Sequence, residues 1–437
     1  MDEYDRQWKD IFSVQSEVAE TIASELQAVI TPEEKQLIHK SPTSNLTAYD
    51  FYQRGRTEYT NYWIEQKNRT ALIKAQNLYH KALEYDSTFA QAYTGLAWIL
   101  WDKFFWKASY LKNYTDSILV LANCALFYDN QLAEAYCLRG CCFFETGKME
   151  QAFKEFNKAI KYNPNNCMSY IWNGNISQWI FEDYAKAIDY YFKASVRTRG
   201  KELPRILNEI GDGYRCAGFI DKAKQYFQEA YILGGDSAGY YAHLGSLDFC
   251  EGNFENWLIF AKKAYAIDSN NSNYVADLAE CYSFLGQDLE ANVYYKKYLE
   301  LSKKSEDIPL NFSHRIGYSF LKVGKFKEAE YYFNLQIKYI LESNKLKRGF
   351  ASSKFTYYDQ AAICAVLGDK AKAYENLDEL NKKQSFPRWF VSFIKYDPLF
   401  ARIRHEPRFQ QIHKDVENKY QTEHERVRKW LEENKML

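Results

Sequence analysis

Apolar and small residues recur along most of this chain at steps of three and four, the period of one face of a helix. The pattern is plainest from Ala133 onward, where Gly140, Phe143, Gly147, Ala152, Phe156, Ala159 and Pro164 follow one another. This spacing predicts two helices, one ending at Thr146-Gly147-Lys148 and one at Asn163-Pro164-Asn165. Gly140 and Ala152 are small enough for the two backbones to approach, and Phe143 and Phe156 are large enough to fill the space left between them.

The same set returns down the chain. Gly211, Tyr214, Gly218, Ala223, Phe227 and Ala230 repeat it with identical internal spacing. Gly245, Gly252, Trp257, Ala261 and Ala264 repeat it again, with Trp257 at a place usually held by a small residue. Further copies run through Ala279, Tyr282, Gly286, Ala291 and Tyr295, through Gly317, Phe320, Gly324, Ala329 and Phe333, and through Ala361, Gly368, Ala373 and Leu377. A looser copy, one residue longer, lies between Cys167 and Thr198 with Gly174, Ala187, Tyr191 and Ala194. Earlier still, Gly55 to Ala82 and Ala97 to Ala125 read as stretched versions. The pattern of small and aromatic positions resembles the 34-residue tetratricopeptide repeat, TPR. That resemblance implies an all-α fold: a right-handed superhelix of antiparallel helix pairs, each burying its apolar face on the next. The expected organisation is N-terminal helices and linker over 1–45, two divergent hairpins over 46–132, the array over 133–387 and a helical cap over 388–437.

The ends depart from the repeat. Ile11, Val14, Val18, Ile22, Leu26 and Val29 predict one amphipathic helix over Asp10 to Ile30. Thr31-Pro32-Glu33-Glu34 then reads as a capping box that restarts a helix. At the other end, aromatic clusters at Phe386-Pro387-Arg388-Trp389-Phe390 and Tyr396-Asp397-Pro398-Leu399-Phe400 precede a charged final helix from Glu406. The stretches Lys9-Asp10-Ile11-Phe12-Ser13-Val14, Ala48-Tyr49-Asp50-Phe51-Tyr52 and Arg404-His405-Glu406-Pro407-Arg408-Phe409 are similar to the margins of the TPR region in bacterial TolB-like/TPR signalling proteins. Such proteins carry a nucleotide cyclase or a winged-helix DNA-binding domain in front. No such output domain precedes Met1, so the resemblance implies a shortened relative or a separated segment.

In an array of this kind the first helix of each pair faces the concave groove. The candidate groove positions are Cys141 and Phe144 in one repeat and Trp172, Asn175 and Trp179 in the next. Arg205, Asn208, Asp212 and Arg215 follow, then His314, Arg315 and Tyr318. Aromatic side chains offer buried area to a peptide, while Arg and Asn pair with carboxylates and backbone amides. A competing reading packs Trp172 and Trp179 against the adjacent repeat. The Lys/Asn/Asn/Lys/Arg clamp that some TPR co-chaperones use for a C-terminal carboxylate is not reproduced.

Composition narrows the function. Lys and Arg number 57 and Asp and Glu 57, which leaves no net charge to attract nucleic acid or an anionic membrane. The nine Cys are scattered, and only Cys137 and Cys141 share a helix face, without a third ligand at zinc spacing. No metal, cofactor or catalytic residue is therefore expected, and no stretch is long and apolar enough to span a membrane. The expected function is a non-catalytic scaffold for a protein or peptide partner in bacterial signalling, in the cytoplasm. The alternative is the regulatory segment of a larger cyclase or transcription regulator, periplasmic if that protein is membrane-anchored.

Overall fold

The structure, a computed structural model, describes residues 13–14, 16–23, 25, 32–64, 69–104, 114–304, 312–348 and 354–437. Every regular element among the described residues is a helix. The chain divides into two compact units. One holds the described residues up to Lys103 together with Tyr114–Leu138, and the other holds Arg139–Leu437.

In the first unit the described residues between 13 and 25 are helical (α1). Val14, Val18 and Ile22 share an exposed face of α1, and the Ser16 hydroxyl donates to the Ile38 carbonyl at 2.9 Å. Ile11, Leu26, Val29 and Thr31 lie outside the described residues. Helix α2 (Pro32–Ile38) is followed by the α3 (Leu46–Ile64) and α4 (Arg69–Tyr85) hairpin, then by α5 (Ala90–Phe104) and α6 (Thr115–Tyr128). Asn45 caps α3, accepting from the Ala48 amide at 3.0 Å. The buried Tyr79 ring sits between Gly55 and Gly95, and a Cβ added at either glycine would lie 2.7 Å from that ring.

The division between the units falls within α7 (Ala133–Glu145). The second unit continues with α8 (Met149–Tyr162), α9 (Cys167–Trp179), α10 (Tyr184–Ser195), α11 (Leu203–Ala217), α12 (Ile220–Gly234), α13 (Ser237–Glu251) and α14 (Phe254–Ile267). Then come α15 (Ser272–Phe284), α16 (Asp288–Lys304), α17 (Ser313–Lys322), α18 (Phe326–Lys345), α19 (Lys354–Leu367) and α20 (Lys370–Asn381). From α9 onward these helices pack as successive pairs, and each second helix also packs on the first helix of the next pair. The contact that sets the spacing is a ring laid over a residue without a side chain. A Cβ at Gly140 would meet the Phe156 ring at 2.6 Å, and one at Gly211 would meet the Phe227 ring at 2.5 Å. Trp257 is accommodated in the same way, against Gly245.

The turn inside each pair needs a left-handed residue, and glycine supplies it without steric cost. Gly218, Gly252 and Gly286, spaced 34 residues apart, have φ of 87°, 81° and 71°. The longer repeat has no glycine there, and Glu182 takes φ 57° instead. Its side chain explains why the strain is tolerated. Glu182 Oε1 pairs with Lys354 Nζ at 2.8 Å, and Oε2 accepts from the Ser385 amide at 3.2 Å. Lys354 is buried, and that burial pushes its ammonium pKa down.

The C-terminal elements do more than close the end of the array. Helix α21 (Arg388–Tyr396) packs on α11 and α13. Helix α22 (Pro407–Glu433) packs on α10, α11 and α20, burying Phe409, Ile412, Val416, Tyr420, Val427 and Leu431. The Tyr214 hydroxyl donates to the Met436 carbonyl at 3.0 Å, and Arg426 pairs with Asp183 at 2.6 Å.

Two substitutions test this packing. Gly211→Leu places carbon inside the Phe227 ring and should cost about 1–3 kcal/mol or more, read as a lowered melting temperature. Glu182→Ala strands the buried Lys354 ammonium and should cost roughly 3–5 kcal/mol, with Lys354→Met in the same chain restoring part of the loss.

Candidate binding groove

The predicted groove residues lie on the first helices α7, α9, α11 and α17, and the structure sorts these into three groups. In the first, Cys141 and Trp172 are buried. Trp172 lies against Phe144 at 5.3 Å between ring centroids and stacks on Phe156 at 6.1 Å, so it packs within the array and offers little surface to a partner. Phe144 and Asn175 are half-buried, and Asn175 Oδ1 accepts the Tyr191 hydroxyl at 2.8 Å.

The second group lies on α11. Arg205 is exposed and pairs with Glu202 at 3.2 Å. Asn208, Asp212 and Arg215 are half-buried along the same helix. Arg215 donates to Asp212 Oδ1 through Nε at 2.9 Å and Nη2 at 2.5 Å, while Asp212 Oδ2 accepts from Gln178 at 2.7 Å. Trp179, at the end of α9, is half-buried.

The third group, His314, Arg315 and Tyr318 on α17, is buried. Arg315 bridges Glu280 at 2.9 Å and Asp397 at 2.8 Å, and its guanidinium lies 4.8 Å from the Phe393 ring centre. Asp397 has no exposed surface and also accepts from the Tyr358 hydroxyl. Burial, reinforced by the Arg315 charge, holds the His314 imidazole down to about 3, so it stays neutral at physiological pH. This cluster pins the turn after α21 to α15, α17 and α19, so its charges serve the packing of the fold.

Sequence reasoning missed what α21 brings. Trp389 and Phe393 project from it beside Trp179, Arg215, Ser246, Phe249, Trp257, Asp277 and Glu280, and together they line an open pocket of about 260 Å³. Ser246 and Glu280 stand 34 residues apart on successive first helices, in the register of Asp212, so the repeat pattern could have found them. Nothing in that pattern reports Trp389 and Phe393. Burial pushes the Asp277 carboxyl up to about 7, the neighbouring Glu280 charge adds to this, and the Trp257 indole N–H, 3.0 Å from Oδ1, opposes it. Glu280 is raised as well, chiefly by burial.

The tetratricopeptide repeat family model matches residues 133–166. A protein of Rhizobium meliloti (strain 1021) named "Putative adenylate cyclase 3" is 31% identical over 117 residues, which is 26% of this chain and 19% of that protein. The chain thus matches about a fifth of that relative's length. Among solved structures, a thermophilic TPR protein of Thermus thermophilus superposes with a TM-score of 0.37 at 14% identity, over 46% of this chain and 98% of that one. The Cut9–Hcn1 hetero-tetramer of APC/C superposes with a TM-score of 0.42 at 15% identity, over 79% of this chain and 62% of that one.

The raised Asp277 value has a measurable sign. The native state holds this proton more tightly than the unfolded chain, so between the ordinary aspartate value of 3.8 and about 7 the carboxyl subtracts stability as pH rises. Asp277→Asn keeps the Trp257 acceptor and removes the charge. Its melting temperature should gain on the parent between pH 5 and pH 8, by a free-energy difference on the order of 1–3 kcal/mol. A gain that does not change with pH would refute the assignment.

The matched repeat at 133–166 is one of a series of hairpins, built on the same glycine–ring contact and the same left-handed turn, that continues along the chain. The described residues form an all-α array of helical hairpins in which 133–166 match a tetratricopeptide repeat, an architecture that generally serves as a protein–protein interaction scaffold.

Proposed function

We propose that this chain is a non-catalytic scaffold that docks a protein or peptide segment along α11 and the end of α9, in bacterial signalling or regulation. The observation that carries this reading is the partly exposed polar row Arg205, Asn208, Asp212 and Arg215, with Trp179 beside it. Such a row offers charge-assisted hydrogen bonds to an extended backbone and its carboxylates, next to an aromatic contact. Buried His314, Arg315 and Tyr318 serve the fold, so recognition falls on the α9–α11 portion of the groove. No helix among the described residues is long and apolar enough to cross a membrane. The cysteines are scattered along the chain and follow no disulfide framework, which suits a reducing compartment such as the cytoplasm.

A second reading rests on the match to the Rhizobium protein. There the array is the regulatory segment of a larger cyclase or transcription regulator, and an output domain encoded in frame upstream would favour it.

A partner purified with the parent chain provides the test. Arg205→Glu combined with Asn208→Ala should weaken its affinity by about tenfold, the loss of one or two charge-assisted hydrogen bonds. Far-ultraviolet circular dichroism should stay unchanged, because Arg205 is exposed and Asn208 only half-buried. Unaltered affinity would remove α11 from the docking surface.

A further inference from the structure

The cavity beneath α21 combines aromatic walls with an incompletely paired carboxylate. Trp179, Phe249, Trp257, Trp389 and Phe393 supply the rings. Phe249 lies 4.9 Å from Trp257 and 4.7 Å from Phe393, and Trp389 lies 5.6 Å from Phe393, so the walls are packed against one another and already formed. Three charged groups bear on the cavity. Arg215 is neutralised by Asp212 at 2.5 Å, and Glu280 is matched by Arg315 at 2.9 Å. Asp277 is different. Its Oδ1 accepts the Trp257 indole N–H, while its Oδ2 is withdrawn from solvent and has no hydrogen-bond partner. A buried carboxylate oxygen left in this state costs stability unless something pairs with it. The group missing is a cation, and the surrounding ring faces carry the negative quadrupole that attracts one.

We propose that this cavity binds an organic cation, an ammonium or guanidinium on an alkyl stem, with its charge beside the Asp277 carboxylate and its stem between the tryptophan rings. A cavity of about 260 Å³ holds a side chain of that length. In the context of the scaffold reading, on which this source depends, the cation is a lysine or arginine of the docked segment, entering next to Arg215 and Trp179. A free alkyl amine presents the same chemistry.

Titration of the full chain, followed by tryptophan fluorescence and calorimetry, separates these cases. Three probes suffice: N-acetyl-lysine methylamide, its neutral isostere N-acetyl-norleucine methylamide, and n-butylammonium. The lysine probe should bind at least about tenfold more tightly than norleucine, and Asp277→Asn should erase that advantage. Trp257→Phe, which keeps an aromatic ring but removes the indole N–H, should weaken the cation without abolishing the preference. Binding of butylammonium with no binding of the lysine probe would identify a free amine as the occupant. Equal affinity for lysine and norleucine, or a folded Asp277→Asn chain that still prefers lysine, overturns the proposal. If neither cation binds but the α11 variant still loses its partner, the scaffold reading stands and the cation site falls.

Discussion

The distance between two helices in most of the hairpins is set by a ring resting on a backbone that has no side chain. Phe156 on Gly140 and Phe227 on Gly211 are the same contact made twice, and any added carbon would overlap the ring. Once that distance is fixed, the small residues on the second helix, Ala152 and Ala223 among them, become fully buried and the next hairpin can stack. The repeat is therefore a steric specification first and a hydrophobic one second. That is why Trp257 can replace a small residue where Gly245 faces it.

Stacking alone would leave the first helices open along their whole length. The structure instead turns its C-terminal segment onto them, and the buried Arg315 fastens that segment through Asp397. An arginine inside a protein needs its charges matched and its donors occupied, and Glu280 and Asp397 provide both. The consequence for recognition is a division of labour. The α17 end of the groove is consumed by this lock, the α11 end keeps a partly exposed polar row, and between them α21 lines an open aromatic pocket.

Fold class and repeat register were legible in the sequence because they depend on local residue size: glycine and alanine against aromatics, at a period the chain repeats. Glu182 was harder to read, since a left-handed glutamate is stable only through Lys354 and Ser385, which lie far away in sequence. The groove was legible only in part. Helical spacing named Trp179, Arg205, Asn208, Asp212 and Arg215 as facing it, and they keep some exposure. The same spacing named Trp172, Arg315 and His314, which are buried, because spacing says which face a residue takes and nothing of what will later cover that face. Trp389 and Phe393 sit outside the repeat, so no periodicity could have placed them in the cavity wall.

The long final helix has a consequence for how the protein is made. A linear array can fold from its first hairpin onward as the ribosome delivers it, each unit needing only its neighbour. Here the surfaces of α10 and α11 wait for a helix encoded roughly two hundred residues later. At a synthesis rate of about 5–20 residues per second, these apolar faces stay open for some tens of seconds before α22 arrives. Closing that long-range loop raises the contact order, so the last step of folding should be slow and the finished array should resist fraying from its C-terminal end.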